Sequence, residues 1–376
     1  MSPAIDIKPD IIQWAISRAG FDHAEFYNRF PKVQEWLEGN KQPTLPQLRD
    51  FAKKVHVPFG YLFLTSPPRE EIPLPLFRTL EGETEQISVN LRDTILTYQK
   101  RQDWIRDYLI EQGATPLEFI GRFTVRNEVK KVAMDVRRQL DLRNGWASEV
   151  RNWEDALNFL SERVEEAGIF IFFNSVVGIN THRPIKVGEC RGFVLCDEYA
   201  PFMFVNAADS KSAQMFTIAH ELAHLWIGKS AGFDFKQLQP YGNEVEVFCD
   251  QVAAEFLVPE EDFRRKWSEV RDFRALAKTF KVSQIVIARR ALDTGSITRD
   301  EFFDFYNSHI QKFHQIKEDR EGGGNFYATL RKRLNPRFFG TVNRAVNEGR
   351  LLYKQAYELT GLKGETYHTA IEKLNL

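Results

Sequence analysis

The sequence predicts an α+β fold that is predominantly helical and contains one small sheet. Apolar residues recur three or four positions apart along much of the 376-residue chain, which is the spacing of one helix face. After residue 168 the pattern changes to short, continuous runs of β-branched and aromatic residues, as in buried strands. Three strands are predicted, at Gly168–Phe173, Arg191–Cys196 and Pro201–Val205.

Composition and charge are those of a globular protein. Hydrophobic residues make up 43% and charged residues 27%, and the net charge of −1 excludes a chain-wide basic field for nucleic acid. No stretch approaches 18 uncharged apolar residues, and the first residues lack the signal-peptide pattern, so we expect no membrane partner and a cytoplasmic location. The three cysteines show no CxxC spacing, which is typical of reduced thiols.

Changes in spacing and proline content divide the chain into five segments. A string of short helices is followed by a proline-punctuated linker, a larger domain, another helical pair and a helical tail that follows a run of three glycines. The boundaries are residues 1–66, 67–88, 89–265, 266–310 and 311–376. Within the third segment, helices are predicted at 89–111, 127–140, 153–167, 209–227 with Asp209 as its cap, and 245–257.

The most informative motif is His220-Glu221-Leu222-Ala223-His224. Histidines four residues apart lie on one helix face, where both imidazoles can bind a single Zn²⁺ ion. Glu221 follows the first histidine, so its carboxylate can take a proton from zinc-bound water and pass it to a leaving amine. The flanking residues are apolar, and charged groups in such surroundings are costly unless they serve a purpose. The motif therefore predicts a catalytic zinc site.

Catalytic zinc usually has three protein ligands, and Glu246 is the predicted third. Asp250 lies one turn further along the same helix face, where it can hold the far nitrogen of a ligand histidine. The alternative for this acidic helix is a solvated face, which suits Glu244 better because Glu244 points away from Glu246.

These residues resemble a known family. Phe216–Gly228 followed by Glu246–Pro259 closely resembles the ImmA/IrrE family of metallo-endopeptidases, and Glu189–Phe193 and Pro201–Asp209 resemble the sheet that precedes its zinc helix. The first 80 residues resemble the Cro/C1-type helix-turn-helix (HTH) module that is often fused to it. The resemblance implies a gluzincin-like peptidase domain behind an HTH-like module. It also implies an activity: cleavage of a transcriptional repressor, which switches on stress-response or mobile-element genes.

The sequence departs from the family pattern at two points. The family usually has Asn where Asp250 stands, but Asp accepts a hydrogen bond in the same way. In the HTH-like module, Phe30-Pro31-Lys32 interrupts the region of the second helix, and residues 1–65 carry 8 basic against 7 acidic side chains. DNA affinity depends mainly on neutralising phosphates, and this module is nearly neutral. Its role is therefore open between DNA binding, protein docking and a purely structural one.

Three arginines are further candidates. Arg191, on a predicted strand near the site, can contact a peptide backbone or form an ion pair. Arg289 and Arg290 end a second HTH-like helix, where they can meet nucleic acid or lie on a solvated face. The tail from residue 310 has 12 basic and 7 acidic groups, so it can meet nucleic acid or an acidic partner, or can simply be solvated.

Two functions follow from these patterns. The first is a zinc endopeptidase acting on a protein substrate such as a repressor. The second is a regulator whose HTH-like units bind DNA or a toxin-like partner protein, with a non-catalytic zinc site. A third hypothesis joins them in a DNA-located protease. Glu221 favours an enzyme, since a structural zinc site needs no general base beside its histidines.

Overall fold

The computed structural model describes residues 5–68, 87–228, 231–233, 244–316 and 326–374. Residues 5–68 and 87–96 belong to one compact unit, and the described residues from 97 onward belong to a second. The predicted linker falls mostly on residues 69–86, and the three glycines at 322–324 also lie outside the described residues.

Helices dominate both units, as the spacing of apolar residues predicts. In the first unit the helices are α1 (Pro9–Arg18), α2 (His23–Arg29), α3 (Pro31–Leu37), α4 (Leu45–Lys54), a 3₁₀ turn (Phe59–Phe63) and the start of α5 (Val89–Glu111). The second unit continues with α6 (Val129–Gln139), α7 (Trp146–Glu149), α8 (Trp153–Glu166), α9 (Lys211–Trp226), α10 (Glu244–Leu257), α11 (Glu260–Glu269), α12 (Phe273–Phe280), α13 (Gln284–Asp293), α14 (Arg299–Ile316), α15 (Phe326–Leu334), α16 (Pro336–Asn347), α17 (Tyr353–Thr360) and α18 (Glu365–Leu374).

The first unit has its own small core. Ile11, Ile12 and Ile16 of α1 are fully buried and pack with Leu48 and Phe51 of α4. A single residue, Phe30, separates α2 from α3, so the predicted interruption by proline appears as a tight break between two short helices. The short helices of this segment are thus confirmed.

The second unit is built around a mixed sheet. Its strands are β1 (Phe170–Asn174), β4 (Gly192–Leu195), β5 (Phe202–Asn206) and β6 (Ala231–Phe233), with a separate hairpin formed by β2 (Val176–Val177) and β3 (Asn180–Pro184). The sheet order is β1-β5-β4-β6, where β1 and β5 are parallel and the other pairs antiparallel. The three predicted strands are confirmed, and the hairpin and β6 are additions. The α+β class, predominantly helical, is confirmed with them.

Alternation along the strands gives the sheet two different faces. Phenylalanines cover one face, and Phe172 and Phe202 contact Phe338 of α16 while Tyr98 of α5 contacts Phe172 and Phe204. Smaller apolar side chains cover the other face and share the main core with α9: Ile171, Val194, Met203, Val205, Met215, Ile218 and Leu222. The sheet therefore lies between α9 on one side and helices from both ends of the unit on the other.

Several details differ from the sequence predictions. The cap of α9 is Ser210, whose side chain accepts a hydrogen bond from the backbone N–H of Ala213, and Asp209 forms an ion pair instead. The boundaries placed after residues 265 and 310 fall inside α11 and α14. None of the helices described is long and apolar enough to cross a membrane.

Candidate metal centre

The histidines of the motif lie on α9, which is buried because it packs between the sheet and other helices. Apolar residues on several sides of α9 fill the core, and Ser210 caps its first turn. His220, Glu221 and His224 are at most 1% exposed. Their burial means that each polar atom needs a partner inside the protein.

Helix α10 brings carboxylates to the two histidines. The Glu246 Oε2 atom lies 3.1 Å from His220 Nε2 and 3.4 Å from His224 Nε2, and the two Nε2 atoms are 3.0 Å apart. Asp250 Oδ1 lies 2.9 Å from the other ring nitrogen of His220, Nδ1. Three side chains from two helices therefore direct one ligand atom each to a common point, as a group that could hold a metal ion.

Glu221 stands beside this point on the side of strand β4. Among the described residues, neither carboxylate oxygen of Glu221 has a hydrogen-bond partner, although the side chain is fully buried. Its neighbour is Gly192, where a Cβ would lie 3.6 Å from Glu221 Oε1, 2.3 Å from Thr217 Cγ2 and 2.8 Å from the Phe204 carbonyl oxygen. Only glycine lets β4 approach α9 so closely at this position.

The charges of the cluster are strongly coupled. Burial raises the pKa of Glu221 to about 8, and the nearby Glu246 adds to the rise while His220 opposes it. Burial works against a charged His220, but its hydrogen bonds to Asp250 and Glu246 outweigh that effect and raise its pKa to about 10. For Glu246, burial is likewise outweighed by hydrogen bonds from the two histidines, which hold its pKa below the usual range.

His224 behaves in the opposite way to His220. Burial lowers the pKa of His224, and the positive charge on His220 lowers it further despite the hydrogen bond to Glu246. Without a metal ion, His220 therefore carries the positive charge of the histidine pair and His224 is neutral, with the carboxylates of Glu246 and Asp250 beside them. A cation of higher charge suits this concentration of acidic groups, provided that the histidines are neutral when they bind it.

The other predicted residues lie outside the cluster. Arg191 Nη1 pairs with Asp209 Oδ2 at 3.1 Å, and both side chains are largely buried. Glu244 is exposed at the start of α10. Neither residue is part of the group that could hold a metal.

The two predicted arginines of α13 differ in their exposure to solvent. Arg290 is buried, donates to the Val258 carbonyl oxygen and pairs with Glu255. Arg289 is half-exposed and pairs with Asp293 at 2.9 Å. Of the two, only Arg289 is therefore placed to meet a partner in solution.

Gly192 is the residue of the site that the sequence analysis overlooked. A glycine inside an otherwise apolar strand often marks a close approach of another part of the chain, and this signal is present in Arg191-Gly192-Phe193-Val194. The sequence does not say what approaches, because that depends on the packing of α9 against β4.

Comparison with known families agrees with the position of the cluster. Residues 164–292, about a third of the chain, match the family model of the IrrE N-terminal-like domain. Residues 334–373, which contain α16 to α18, match a domain of unknown function (DUF8813). No curated protein matches the chain. The first match includes α9 and α10 with all their cluster residues, and it supports a place for this part of the chain in the ImmA/IrrE peptidase family.

Proposed function

We propose that the chain is a zinc-dependent endopeptidase in which His220, His224 and Glu246 hold the ion and Glu221 is the general base. One observation carries the proposal: three ligand atoms converge beside a buried carboxylate that has no hydrogen-bond partner among the described residues. The first feature suits a metal and the second suits proton transfer. The family match at residues 164–292 supports the same reaction class.

The donor set fits zinc. Ligand atoms about 2.0–2.1 Å from a tetrahedral zinc ion lie about 3.3–3.4 Å from one another. The three distances between His220 Nε2, His224 Nε2 and Glu246 Oε2 are 3.0, 3.1 and 3.4 Å, so little movement separates this arrangement from a ligand set. Two imidazoles and one carboxylate are also a usual combination for catalytic zinc.

The number of donors favours a catalytic over a structural site. Structural zinc is held by four protein ligands, whereas catalytic zinc keeps one position open. The cluster found in the described part of the chain has three donors. Asp250 contacts His220 from behind, so it orients a ligand and fixes the tautomer that leaves Nε2 free to bind.

Glu221 has the properties of a general base for peptide hydrolysis. When bound, zinc acidifies a water molecule and polarises a peptide carbonyl. Burial raises the pKa of Glu221 to about 8 without the ion, so its proton affinity is in the range that general acid–base catalysis near neutral pH requires. The Glu221 carboxylate accepts the proton of the attacking water and then donates it to the leaving amine.

The substrate we propose is a transcriptional repressor, as the resemblance to the ImmA/IrrE family implies. DNA and a toxin-like protein remain predicted partners of the HTH-like segments. Of the arginines predicted to meet nucleic acid, Arg289 is the accessible one. A regulator with a non-catalytic zinc site is less well supported, because it gives no role to the buried Glu221 carboxylate.

A single substitution tests the proposal. Zinc-loaded protein is incubated with each repressor encoded beside its gene, and fragments are followed by gel and mass spectrometry. We expect wild type to give discrete fragments and Glu221→Gln, at equal zinc content, to cut about 10²–10⁴ times more slowly. Equal rates for the two proteins would show that Glu221 is not the base.

A further inference from the structure

A pocket lies at the C-terminal end of α10, away from the metal centre. Its volume is about 260 Å³, and its wall is formed by residues of α6, α10, α11 and α12 together with the segment 144–148. Leu257, the last residue of α10, lines the pocket and follows Glu246 by 11 residues, or about 16 Å along the helix. The pocket and the metal centre are therefore separate places on one helix.

Arg137 of α6 brings a buried positive charge to this pocket. It is 7% exposed, and its guanidinium donates to the carbonyl oxygens of Phe256 and Arg143 and to the side-chain oxygen of Asn144, at 2.7, 3.0 and 3.3 Å. These acceptors are neutral, and in the described part of the chain no carboxylate forms an ion pair with Arg137. Burial lowers the pKa of Arg137, and the nearby Asp262 opposes this effect without cancelling it. An anion in the pocket would supply the missing opposite charge, without which a buried cation is costly.

Two positive charges of the pocket are left after its ion pair is formed. Asp262 is the acid among the lining residues, and it pairs with Arg265 at 2.5 Å on α11. Lys266, the next residue, also lines the pocket and forms no ion pair with any residue that the structure describes. The charges of Arg137 and Lys266 therefore remain to be balanced.

The chemistry of the pocket favours phosphate. The hydroxyl groups of Ser148 and Thr279 donate to the carbonyl oxygens of Gly145 and Ala275, so the cationic side chains are the donors available to a ligand. Arginine and lysine are the usual partners of phosphate oxygens. A phosphate monoester carries about −1.5 to −2 charges at pH 7, which matches the two cations. The volume is slightly below the about 300–1,000 Å³ of most ligand pockets, so it suits a small molecule.

We propose that this pocket binds a small phosphate-bearing anion, which Arg137 and Lys266 hold beside the ion pair of Arg265 and Asp262. The bound anion connects α6, α10 and α11 and stabilises the folded protein, because it binds the folded state alone. This binding activity goes beyond the peptidase function and does not depend on it.

The experiment is a calorimetric titration of zinc-loaded full-length protein with inorganic phosphate and with glycerol 3-phosphate, against chloride at the same ionic strength. Lys266→Gln removes one positive charge that lines the pocket. Arg264→Gln is the matched control, because Arg264 is an exposed cation of the same helix that does not line the pocket. Hydrogen exchange of the wild-type protein, with and without each compound, locates the binding site and distinguishes the pocket from the metal centre.

At least one of the two compounds is expected to bind, with a Kd about tenfold or more higher in Lys266→Gln and unchanged in Arg264→Gln. Exchange should slow in residues 144–148 and 257–266, and the compound that binds more tightly shows whether the ligand is free phosphate or a phosphate monoester. The proposal is wrong if neither compound binds, if Lys266→Gln binds as well as wild type, if both variants lose affinity equally, or if protection is confined to the metal centre.

Discussion

His220 Nδ1 lies 2.9 Å from Asp250 Oδ1, so the acid that follows Glu246 by one helical turn holds the far side of a ligand histidine. The bond has two effects. It fixes the ring so that Nε2 faces Glu246 and His224, and it places a negative charge where it increases the basicity of the imidazole.

Removing this acid is expected to weaken zinc binding without abolishing it. Asp250→Ala removes both the acceptor and its charge, so the zinc dissociation constant should rise about 10–100-fold. Asp250→Asn keeps an acceptor at the same place and should lose less. Competition with a chromophoric chelator measures both constants. Unchanged affinity in Asp250→Ala would mean that the bond to His220 does not tune the metal site.

Zinc affinity is expected to rise with pH. Without the ion, the hydrogen bonds to Asp250 and Glu246 outweigh burial and raise the pKa of His220 to about 10, so His220 is protonated at pH 7. Zinc binds only the neutral ring, so binding must release that proton. Below this pKa the neutral fraction grows about tenfold per pH unit. The dissociation constant should therefore fall about 100-fold between pH 6.5 and 8.5.

Calorimetric titration with zinc in buffers of different ionisation enthalpy counts the released protons. About one proton at pH 7 is expected from His220. Glu221→Gln is the control, because the pKa of Glu221 is raised to about 8 and this side chain can release a proton over the same range. Zinc affinity that is independent of pH, with no proton released, would contradict the charge state inferred for His220.

Any side chain at position 192 is expected to destabilise the protein. A Cβ there would lie 2.3 Å from Thr217 Cγ2 and 2.8 Å from the Phe204 carbonyl oxygen, so β4 would have to move away from α9. Overpacking of this kind costs about 1–3 kcal/mol of unfolding free energy. The matched control is Gly188→Ala, because a Cβ at Gly188 meets nothing within 4 Å. Chemical denaturation of both variants gives the comparison, and equal stability would show that β4 is not pressed against α9.

Local patterns account for what the sequence predicted well. The spacing of His220 and His224 places both rings on one helix face, and the runs of aromatic residues mark strands buried on both sides. These features depend on neighbours in the chain. For that reason the three predicted strands, and the five helices whose bounds the sequence predicts, lie within one or two residues of their observed ends.

What the sequence could not show depends on contacts between distant residues. Arg290 resembles a surface arginine by its position in the sequence. In the structure it is buried and forms an ion pair with Glu255, which lies 35 residues earlier. The C-terminal helices look like a separate tail, but Phe338 of α16 packs on the phenylalanine face of the sheet. The apolar pattern of a helix shows which of its faces is buried, but it does not show which surface of the protein covers that face.

The metal content of two histidine variants tests the central claim most directly. The claim is that His220, His224 and Glu246 hold one zinc ion, and removing one of three ligands should lower its affinity far more than the 10–100-fold expected for Asp250. His224→Ala is compared with His182→Ala, because His182 is exposed on β3 and is not part of the group that could hold a metal. Elemental analysis after dialysis should find about one zinc per chain in wild type and His182→Ala, and little in His224→Ala. Undiminished zinc in His224→Ala would contradict the metal centre described above.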